Sequence, residues 1–250
     1  MTQSSADPRV ALITGGTRGL GAAITRRLVA SGVTVAATYR ANTEAASGLC
    51  SELGSELLTT YRADVRTVTS CRALVEDVLA RHGHIDYLVN NAGALVERHF
   101  LETETVAFEA ALQANLLPAM YLAQAVAPTM RERRFGRIVS IGSVTASMGS
   151  AFQVDYAAAK AGLVGFTRSL ARAFARHGIT VNCVVPGGFD TDMLDAMTYT
   201  DRDVVARSIP IGRYGHPHEL AHIVASLLHD DASYVTGAVI VVDGGLSMGI

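Results

Sequence analysis

Residues 10–21 read VALITGGTRGLG, a short apolar run followed by a glycine-rich turn and the start of a helical pattern. Glycine allows a tight turn, and it lets backbone N–H groups approach a phosphate at the positive end of the following helix. The spacing is TGxxxGxG and differs from the GxGxxG dinucleotide fingerprint, so a plain structural turn remains an alternative at this point. The stretch therefore predicts a strand, a turn and a helix, with the turn as a candidate phosphate cradle.

Short β-branched runs alternate with longer helical patterns along the rest of the chain. Because strands that alternate with helices form βαβ units, we predict an α/β protein with a single doubly wound, parallel, seven-stranded sheet and helices on both faces, a Rossmann-like fold. Ligands of such sheets bind beyond the carboxyl ends of the strands. The predicted strands are Val10–Thr14, Thr34–Thr38, Leu57–Arg62, Ile85–Val89, Arg137–Ile141, Thr180–Val185 and Ala238–Val242, and helical windows lie near 20–31, 42–53, 67–82, 103–132, 154–176 and 217–229.

No linker rich in proline, glycine or serine divides the chain. Residues 9–250 are therefore predicted to form a single dinucleotide-binding and catalytic domain. Residues 1–8 are polar and predicted to be a short disordered lead-in, without the basic and apolar regions of a signal peptide. One irregular region, Gly187 to Pro210, is long enough to form a loop that closes over a substrate.

The composition excludes several classes of protein. Of 250 residues, 49% are apolar and 18% are charged, with a net charge of −2. These values exclude intrinsic disorder and argue against a nucleic-acid or membrane partner recognised by bulk charge. The uncharged residues 110–130 include polar residues and prolines, which favours a buried helix over a membrane span. The three cysteines lack CxxC spacing and suit a reducing compartment, so we expect a cytoplasmic protein.

The end of the second predicted strand indicates which dinucleotide would fit. NAD sites place an acidic residue about 20 residues beyond the glycines to bind the ribose 2′-hydroxyl. Tyr39 and Arg40 occupy that position, and Arg18 lies inside the glycine-rich turn. Two guanidinium groups suit a dianionic 2′-phosphate, so the sequence predicts NADP(H), although two solvated surface arginines remain the alternative.

Tyr156 and Lys160 form a YxxxK pair, which lies on one face of a predicted helix. A free tyrosine has a pKa near ~10, and a nearby cation is expected to lower that pKa. Such a phenol would serve as the general acid in carbonyl reduction. Ser143 follows the fifth predicted strand and is expected at the same edge of the sheet. By itself, however, a YxxxK match is more often an incidental feature of a helix surface.

Together these motifs resemble the short-chain dehydrogenase/reductase family, and the likeness extends over about residues 8 to 250. It rests on TGGTRGLG, Asn90-Asn91-Ala92-Gly93, Asn115, Ser143, the YxxxK pair and Pro186-Gly187, in the family's order and spacing. Within that family the chain looks most like the 3-oxoacyl-(acyl-carrier-protein) reductases, because of the stretches IGSV, YAAAKAGLVGFTRSLAR, GITVN, DTDM and GAVIVVDGG.

The resemblance implies a role for each matched position. Ser143 would hydrogen-bond the substrate carbonyl, Tyr156 would donate the proton, Lys160 would bind the nicotinamide ribose, and Asn115 would hold a water. Asp64 would bind the adenine amino group beside the Val65 backbone, and residues 91–93 would line the adenosine ribose. The full set expected at the cofactor is Gly15, Thr17, Arg18, Gly19, Leu20, Gly21, Tyr39, Arg40, Asp64, Val65, Asn91, Ala92, Gly93, Tyr156, Lys160, Pro186, Gly187 and Thr191.

Several further signals have an ordinary structural explanation. Residues 218–222 read HELAH, the HExxH pattern of zinc proteases, but Pro217 and Glu219 are typical of a helix start, and no metal is expected. Pro118 lies inside a predicted helix and should distort it beside Asn115, either as an ordinary kink or to free a backbone carbonyl. Gly188 stands where related reductases usually have an apolar residue, and the loss of that side chain could widen or loosen the substrate mouth.

A cluster of arginines, residues 131–137, surrounds Phe135-Gly136. It could be a solvated helix end, or it could dock an acidic acyl carrier protein. Arg134 matches one docking arginine of the family, whereas His177 replaces the second. Packing of a helix against its copy in the family implies a homotetramer.

The expected function is therefore NADPH-dependent reduction of a β-keto thioester to a 3-hydroxyacyl product. One alternative is a related enzyme acting on another ketone or alcohol, such as a secondary metabolite or polyketide, a steroid or a sugar. The other is a non-catalytic NADP-binding sensor, which would have no chemical need for Ser143, Tyr156 and Lys160 together.

Overall fold

The computed structural model describes residues 8–54, 56–195, 197–199 and 201–248. Within these ranges seven parallel strands form one sheet in the order β3-β2-β1-β4-β5-β6-β7. The strands are β1 Val10–Ile13, β2 Thr34–Tyr39, β3 Leu58–Arg62, β4 Tyr87–Asn90, β5 Gly136–Ile141, β6 Ile179–Pro186 and β7 Val239–Val242. The predicted fold class is confirmed. Most of the predicted lead-in, residues 1–7, lies outside the described residues.

Helices cover both faces of this sheet. They are α1 Gly19–Ala30, α2 Thr43–Leu53, α3 Val68–His82, α4 Thr105–Asn115, α5 Leu117–Arg133, α6 Thr145–Met148, α7 Val154–Phe174, α8 Asp192–Asp195, α9 Arg202–Ser208 and α10 Pro217–Leu228. One apolar core joins the sheet to α3, α5 and α7, a second joins it to α1 and α10, and a small third one contains Val144, Cys183 and Val185. Strands covered on both faces are apolar along their whole length, as in the buried VALI of β1.

The strand order reverses between β1 and β4, where neighbouring strands lead to opposite halves of the sheet. This is the position at which doubly wound sheets open a ligand crevice beyond their carboxyl ends. Asn91 spans the crevice, because its side-chain Nδ2 donates to Thr14 O at 2.9 Å and to Gly15 O at 3.1 Å. The glycine-rich turn and the β4 end are thereby held together.

The helical window predicted over 103–132 is two helices, α4 and α5, separated at Leu116. Pro118 stands in the first turn of α5, where its missing N–H removes no helical hydrogen bond. The distortion predicted beside Asn115 is confirmed. Asn115 Nδ2 donates to Ala111 O at 3.0 Å, so a side chain bonds a carbonyl near the end of α4.

The segment after β6 was expected to be irregular, and it contains only the short helices α8 and α9 among its described residues. The uncharged stretch 110–130 falls in α4 and α5. Among the described parts of the chain, no helix is both long enough and apolar enough to span a bilayer.

Candidate active site

The candidate catalytic residues are buried together at the carboxyl edge of the sheet. Ser143 lies two residues beyond β5, while Tyr156 and Lys160 lie one turn apart on α7. The exposed fractions of Ser143, Tyr156 and Lys160 are only 8%, 8% and 4%. Lys160 Nζ donates to Ile141 O at 2.7 Å and lies 5.6 Å from the centre of the Tyr156 ring. The fold therefore brings together the three side chains that the sequence placed 13 and 4 residues apart.

Hydrogen bonds orient the Ser143 hydroxyl. Ser143 Oγ lies 2.8 Å from Thr145 Oγ1 and accepts from the Thr145 N–H at 3.3 Å. It is also a hydrogen-bond partner of the Tyr156 phenol. Thr145 was not singled out from the sequence, although its position two residues after Ser143 is the spacing of a local side-chain turn. Two hydroxyl groups, Ser143 and Tyr156, can thus meet at one oxygen atom of a substrate.

The expected lowering of the Tyr156 pKa is wrong for this structure. Burial raises the pKa of Tyr156 to about 12, and the hydrogen bond with Ser143 opposes this only in part. Burial also lowers the pKa of Lys160 to about 8. The amine is directed at the Ile141 carbonyl, so its charge does not outweigh the loss of water around the phenol. At neutral pH Tyr156 is protonated, which is the state a proton donor needs.

Asn115 connects the end of α4 to the loop that follows β4. Its Oδ1 accepts from the Ala94 N–H at 3.1 Å and its Nδ2 donates to Ala94 O at 2.9 Å. A Cβ atom on Gly93 would lie 2.7 Å from Asn115 Oδ1 and 3.5 Å from Lys160 Nζ. Gly93, Asn115 and Lys160 are therefore neighbours, as the family resemblance implies. The water assigned to Asn115 stays a prediction.

The glycine-rich turn fits a dinucleotide phosphate. Gly15 has a φ of +61°, and a Cβ on Gly21 would lie 2.1 Å from the Gly15 carbonyl oxygen. Only glycine allows this close backbone approach. Among the described residues no side chain caps the start of α1 at Arg18, so the first N–H groups of a 12-residue helix are available to an anion.

Arginines surround the position expected for the adenosine end of the cofactor. Arg40 is exposed just beyond β2 and, with Arg66, helps to lower the pKa of the Asp64 carboxyl. The hydrogen bonds from Arg66 are the largest cause of that lowered pKa. Sequence reasoning missed Arg66, although its spacing from Asp64 allows the contact. Arg18 lies 3.8 Å from Asp192, an exposed pair that a bound phosphate would compete with.

The remaining positions predicted at the cofactor line the same crevice edge. Thr191 Cγ2 lies 3.6 Å from the place of a Cβ on Gly19, so the segment after β6 reaches the glycine-rich turn. Thr17 and Val65 are buried, at 6% and 7% exposed. Tyr39 ends β2 and Pro186 ends β6, both at the carboxyl edge. The assignment of these residues to a cofactor remains a prediction.

The expected widening of the mouth at Gly188 is wrong. A Cβ there would lie 2.6 Å from Tyr214 Cε1, so the Tyr214 ring fills the space that a side chain would use. Arg134 lies before β5 and Ser143 after it, which puts the predicted docking arginine at the opposite edge of the sheet within one chain.

The HExxH residues form the start of α10, as predicted. Glu219 accepts from the His216 N–H at 2.7 Å and is paired with Arg213 at 2.8 Å. Across the described ranges, no group of three His, Cys, Asp or Glu residues is arranged to hold a metal ion.

The fold and the buried hydroxyl pair beside a phosphate cradle define a dinucleotide-dependent oxidoreductase. A family profile described as enoyl-(acyl carrier protein) reductase matches residues 15–247. The 3-oxoacyl-(acyl-carrier-protein) reductase of Escherichia coli K12 is 39% identical over 242 residues, covering 96% of this chain and 98% of the relative. That of Salmonella typhimurium is 39% identical over 252 residues, covering 98% and 99%. An acetoacetyl-CoA reductase of Shinella zoogloeoides is 41% identical over 238 residues, covering 95% and 98%. The chain belongs to the short-chain dehydrogenase/reductase family.

Proposed function

We propose that this chain is an NADPH-dependent ketoreductase that converts a β-keto thioester to the 3-hydroxyacyl product. The observation that carries the proposal is that Ser143, Tyr156 and Lys160 are buried together at the carboxyl edge of the sheet, beside the crevice of the glycine-rich turn. The names of the relatives, 3-oxoacyl reductases and an acetoacetyl-CoA reductase, support the substrate class.

In this proposal each catalytic residue acts on the substrate oxygen. NADPH, when bound, supplies the hydride to the ketone carbon. Ser143 Oγ donates a hydrogen bond to the ketone oxygen, and the Tyr156 phenol gives it a proton as negative charge develops there. Tyr156 is left as a phenolate, and Lys160 lies one turn further along α7, 5.6 Å from the centre of the Tyr156 ring. The products are an alcohol and a tyrosinate that regains its proton from solvent.

The chain's own residues would hold NADPH along the crevice. The glycine-rich turn and the N-terminus of α1 would bind the pyrophosphate. Arg18 and Arg40 would bind the 2′-phosphate, since no acidic residue competes at the end of β2. Asn91, Ala92 and Gly93 would line the adenosine ribose, and Asp64 with the Val65 backbone would receive the adenine.

An enoyl thioester is a second candidate substrate, because the matching family profile carries an enoyl reductase description. Its reduction places a hydride on the β-carbon and charge on the thioester oxygen, which the same two hydroxyl groups could meet. Ketones of another class, such as polyketides, steroids or sugars, form the third possibility, and a non-catalytic NADP sensor forms the fourth.

Initial rates of NADPH and NADH oxidation distinguish these functions. The substrates are acetoacetyl and crotonyl thioesters, each on coenzyme A and on acyl carrier protein. We expect fast NADPH turnover with acetoacetyl thioesters, and loss of that turnover with retained NADPH binding in Tyr156→Phe. Turnover of crotonyl thioesters alone would identify an enoyl reductase. Tight NADPH binding without turnover of any thioester would overturn the assigned substrate class.

The proposal includes a carrier-bound substrate and a cytoplasmic homotetramer. Because Arg134 lies across the sheet from Ser143, a carrier held by Arg134 would serve the mouth of another subunit. Exposed apolar side chains support assembly: Leu112 and Met120, 37% and 42% exposed, lie on α4 and α5, and Val241, 49% exposed, lies on the edge strand β7. Cys50, Cys71 and Cys183 are free thiols, which supports a reducing compartment.

A further inference from the structure

Glu97 is a buried carboxylate on the loop after β4, and the mechanism above gives it no role. Its exposed fraction is 7%, and burying a carboxylate is unfavourable unless hydrogen bonds compensate. Glu97 Oε1 accepts from Gln153 Nε2 at 3.1 Å. Glu97 Oε2 accepts from the backbone N–H groups of Thr198 at 2.9 Å and Tyr199 at 2.7 Å.

These hydrogen bonds join three loops at the carboxyl edge of the sheet. Glu97 belongs to the loop after β4, and Gln153 stands at the start of α7, three residues before Tyr156. Thr198 and Tyr199 belong to the segment after β6. A backbone hydrogen bond from Arg98 N to Phe152 O, 2.9 Å long, reinforces the first of these connections.

Next to Glu97, the same three loops contribute one aromatic ring each. The Phe152 and Tyr199 rings are stacked with centroids 5.0 Å apart and planes at 16°. His99 meets each of them edge-on, with centroids 5.0 Å and 5.1 Å away. We call His99, Phe152 and Tyr199 the aromatic wall. Tyr199 remains 50% exposed, so the wall presents apolar surface to solvent.

The segment after β6 also contacts the phosphate cradle at its other end, through Thr191 beside Gly19. Glu97 therefore binds residues 197–199, which are the part of that segment further from the phosphate cradle along the chain. Without the carboxylate, two backbone N–H groups of this short segment would lose their shared acceptor. Tyr199 would then depend on its ring contacts with Phe152 and His99 to keep its place.

We propose that Glu97 is a positioning residue that fixes residues 197–199 so that Tyr199 completes the aromatic wall, whose Phe152 stands four residues before Tyr156 in the chain. The wall provides one apolar side of the substrate mouth and determines how tightly the acyl part of the substrate binds. This inference rests on the proposed function for the identity of the substrate. It adds Glu97 and Gln153 as residues that act through Tyr199 rather than on the reacting atoms.

Glu97→Met tests the role of the carboxylate, because it removes the oxygens that accept from Gln153 and from the two backbone N–H groups. Glu97→Gln is the conservative rescue. The Gln153 amide can turn so that its Oε1 accepts from the new NH2 group, while the new amide oxygen accepts from the segment. Glu102→Gln, on an exposed glutamate of the same loop, is the matched control.

The first measurement is amide hydrogen exchange of a peptide that covers residues 197–199, in protein without substrate. We expect faster exchange in Glu97→Met, and exchange close to wild type in both Glu102→Gln and Glu97→Gln. The second is steady-state kinetics with an acetoacetyl thioester. We expect KM to rise about tenfold or more in Glu97→Met while kcat changes less, as for backbone donors that have lost their acceptor.

Unchanged exchange in Glu97→Met would overturn the proposal, and so would faster exchange that persists in Glu97→Gln. If wild-type protein reduces no thioester, the proposed function fails, while the exchange measurement still decides whether Glu97 anchors residues 197–199. If Glu97→Met does not fold, Phe152→Leu tests the wall with the Glu97 hydrogen bonds intact. We expect its KM to rise while residues 197–199 stay protected from hydrogen exchange. An unchanged KM would show that the aromatic wall does not contribute to substrate binding.

Discussion

Arg40 tests the assignment of NADP(H) at the scale of a single residue. Its guanidinium is exposed just beyond β2, where an NAD site would have a carboxylate. Arg40→Ala should raise the Kd of NADPH about tenfold or more, because a charge-assisted contact to the 2′-phosphate is lost, and should leave the Kd of NADH nearly unchanged. Fluorescence titration with both cofactors measures this, with the exposed Arg72→Ala on α3 as control. Equal losses for both cofactors would contradict the 2′-phosphate assignment.

Lys160 makes a second residue-scale prediction, on the pH dependence of stability. Its pKa is about 8 in the folded protein and ordinarily 10.5, because burial disfavours the charged form. Between these values the unfolded chain binds more protons, so this group makes the free energy of unfolding rise with pH. Its unfavourable effect is fully present below about pH 8 and is relieved by about pH 10.5.

Urea unfolding of wild type and Lys160→Met, from pH 7 to 10, isolates this effect. Both proteins carry Cys183→Ser in this comparison, because Lys160 and the Cys183 thiol affect each other's pKa. The difference in free energy of unfolding, wild type minus Lys160→Met, should increase above about pH 8. Parallel curves would show that Lys160 keeps an ordinary pKa.

The residue scale also shows what sequence patterns could not predict. The spacing of Tyr156 and Lys160 indicated a pair on one helix face, and the structure confirms their proximity. Spacing carries no information on burial, which raises the phenol pKa instead of lowering it. In the same way, Gly188 indicated extra space, while the ring that fills it comes from Tyr214, 26 residues further along the chain. Long-range packing decided both outcomes.

At the scale of elements, local signals predicted more. The strands end within two residues of their predicted limits because buried parallel strands are short, apolar and bounded by polar or glycine residues. The division between α4 and α5 followed from the missing N–H of Pro118. The three-loop contact at Glu97 was not predicted, since a lone glutamate in a polar loop has no pattern that reveals its burial.

Gly21→Ala tests the turn between β1 and α1 as a unit. The new Cβ would lie 2.1 Å from the Gly15 carbonyl oxygen, and a backbone atom there cannot move without displacing the turn. We expect destabilisation of about 1–3 kcal/mol, as for overpacking, together with weaker NADPH binding.

Gly48→Ala is the matched control, because Gly48 lies in α2 with nothing within 4 Å of its Cβ position. Relative to glycine, alanine in a helix should stabilise the protein by about 0.5–1 kcal/mol. Thermal unfolding and NADPH titration of both variants measure the two effects. A Gly21→Ala protein with wild-type Tm and Kd would show that the turn tolerates a side chain.

At the scale of the whole molecule, the proposed homotetramer can be tested through exposed apolar side chains. A tetramer with three perpendicular twofold axes needs at least two different self-complementary surfaces on each chain. In the proposed tetramer one surface would contain Met120 on α5, and the other would contain Val241 on β7, an edge strand that would otherwise be open to pairing. Because these surfaces lie on different elements, each should be removable without the other.

Met120→Glu and Val241→Lys test this arrangement. Each places a charge that an apolar interface would have to desolvate, so each variant should be a dimer, and the double variant a monomer of the 26.3 kDa chain. Val68→Lys, at a valine that is 37% exposed on α3, should leave the tetramer intact. Light scattering coupled to size-exclusion chromatography measures all four masses. A wild-type mass in either single variant would show that the mutated surface is not a subunit interface. A carrier protein bound at Arg134 could then reach the active site of a neighbouring subunit only across the other surface.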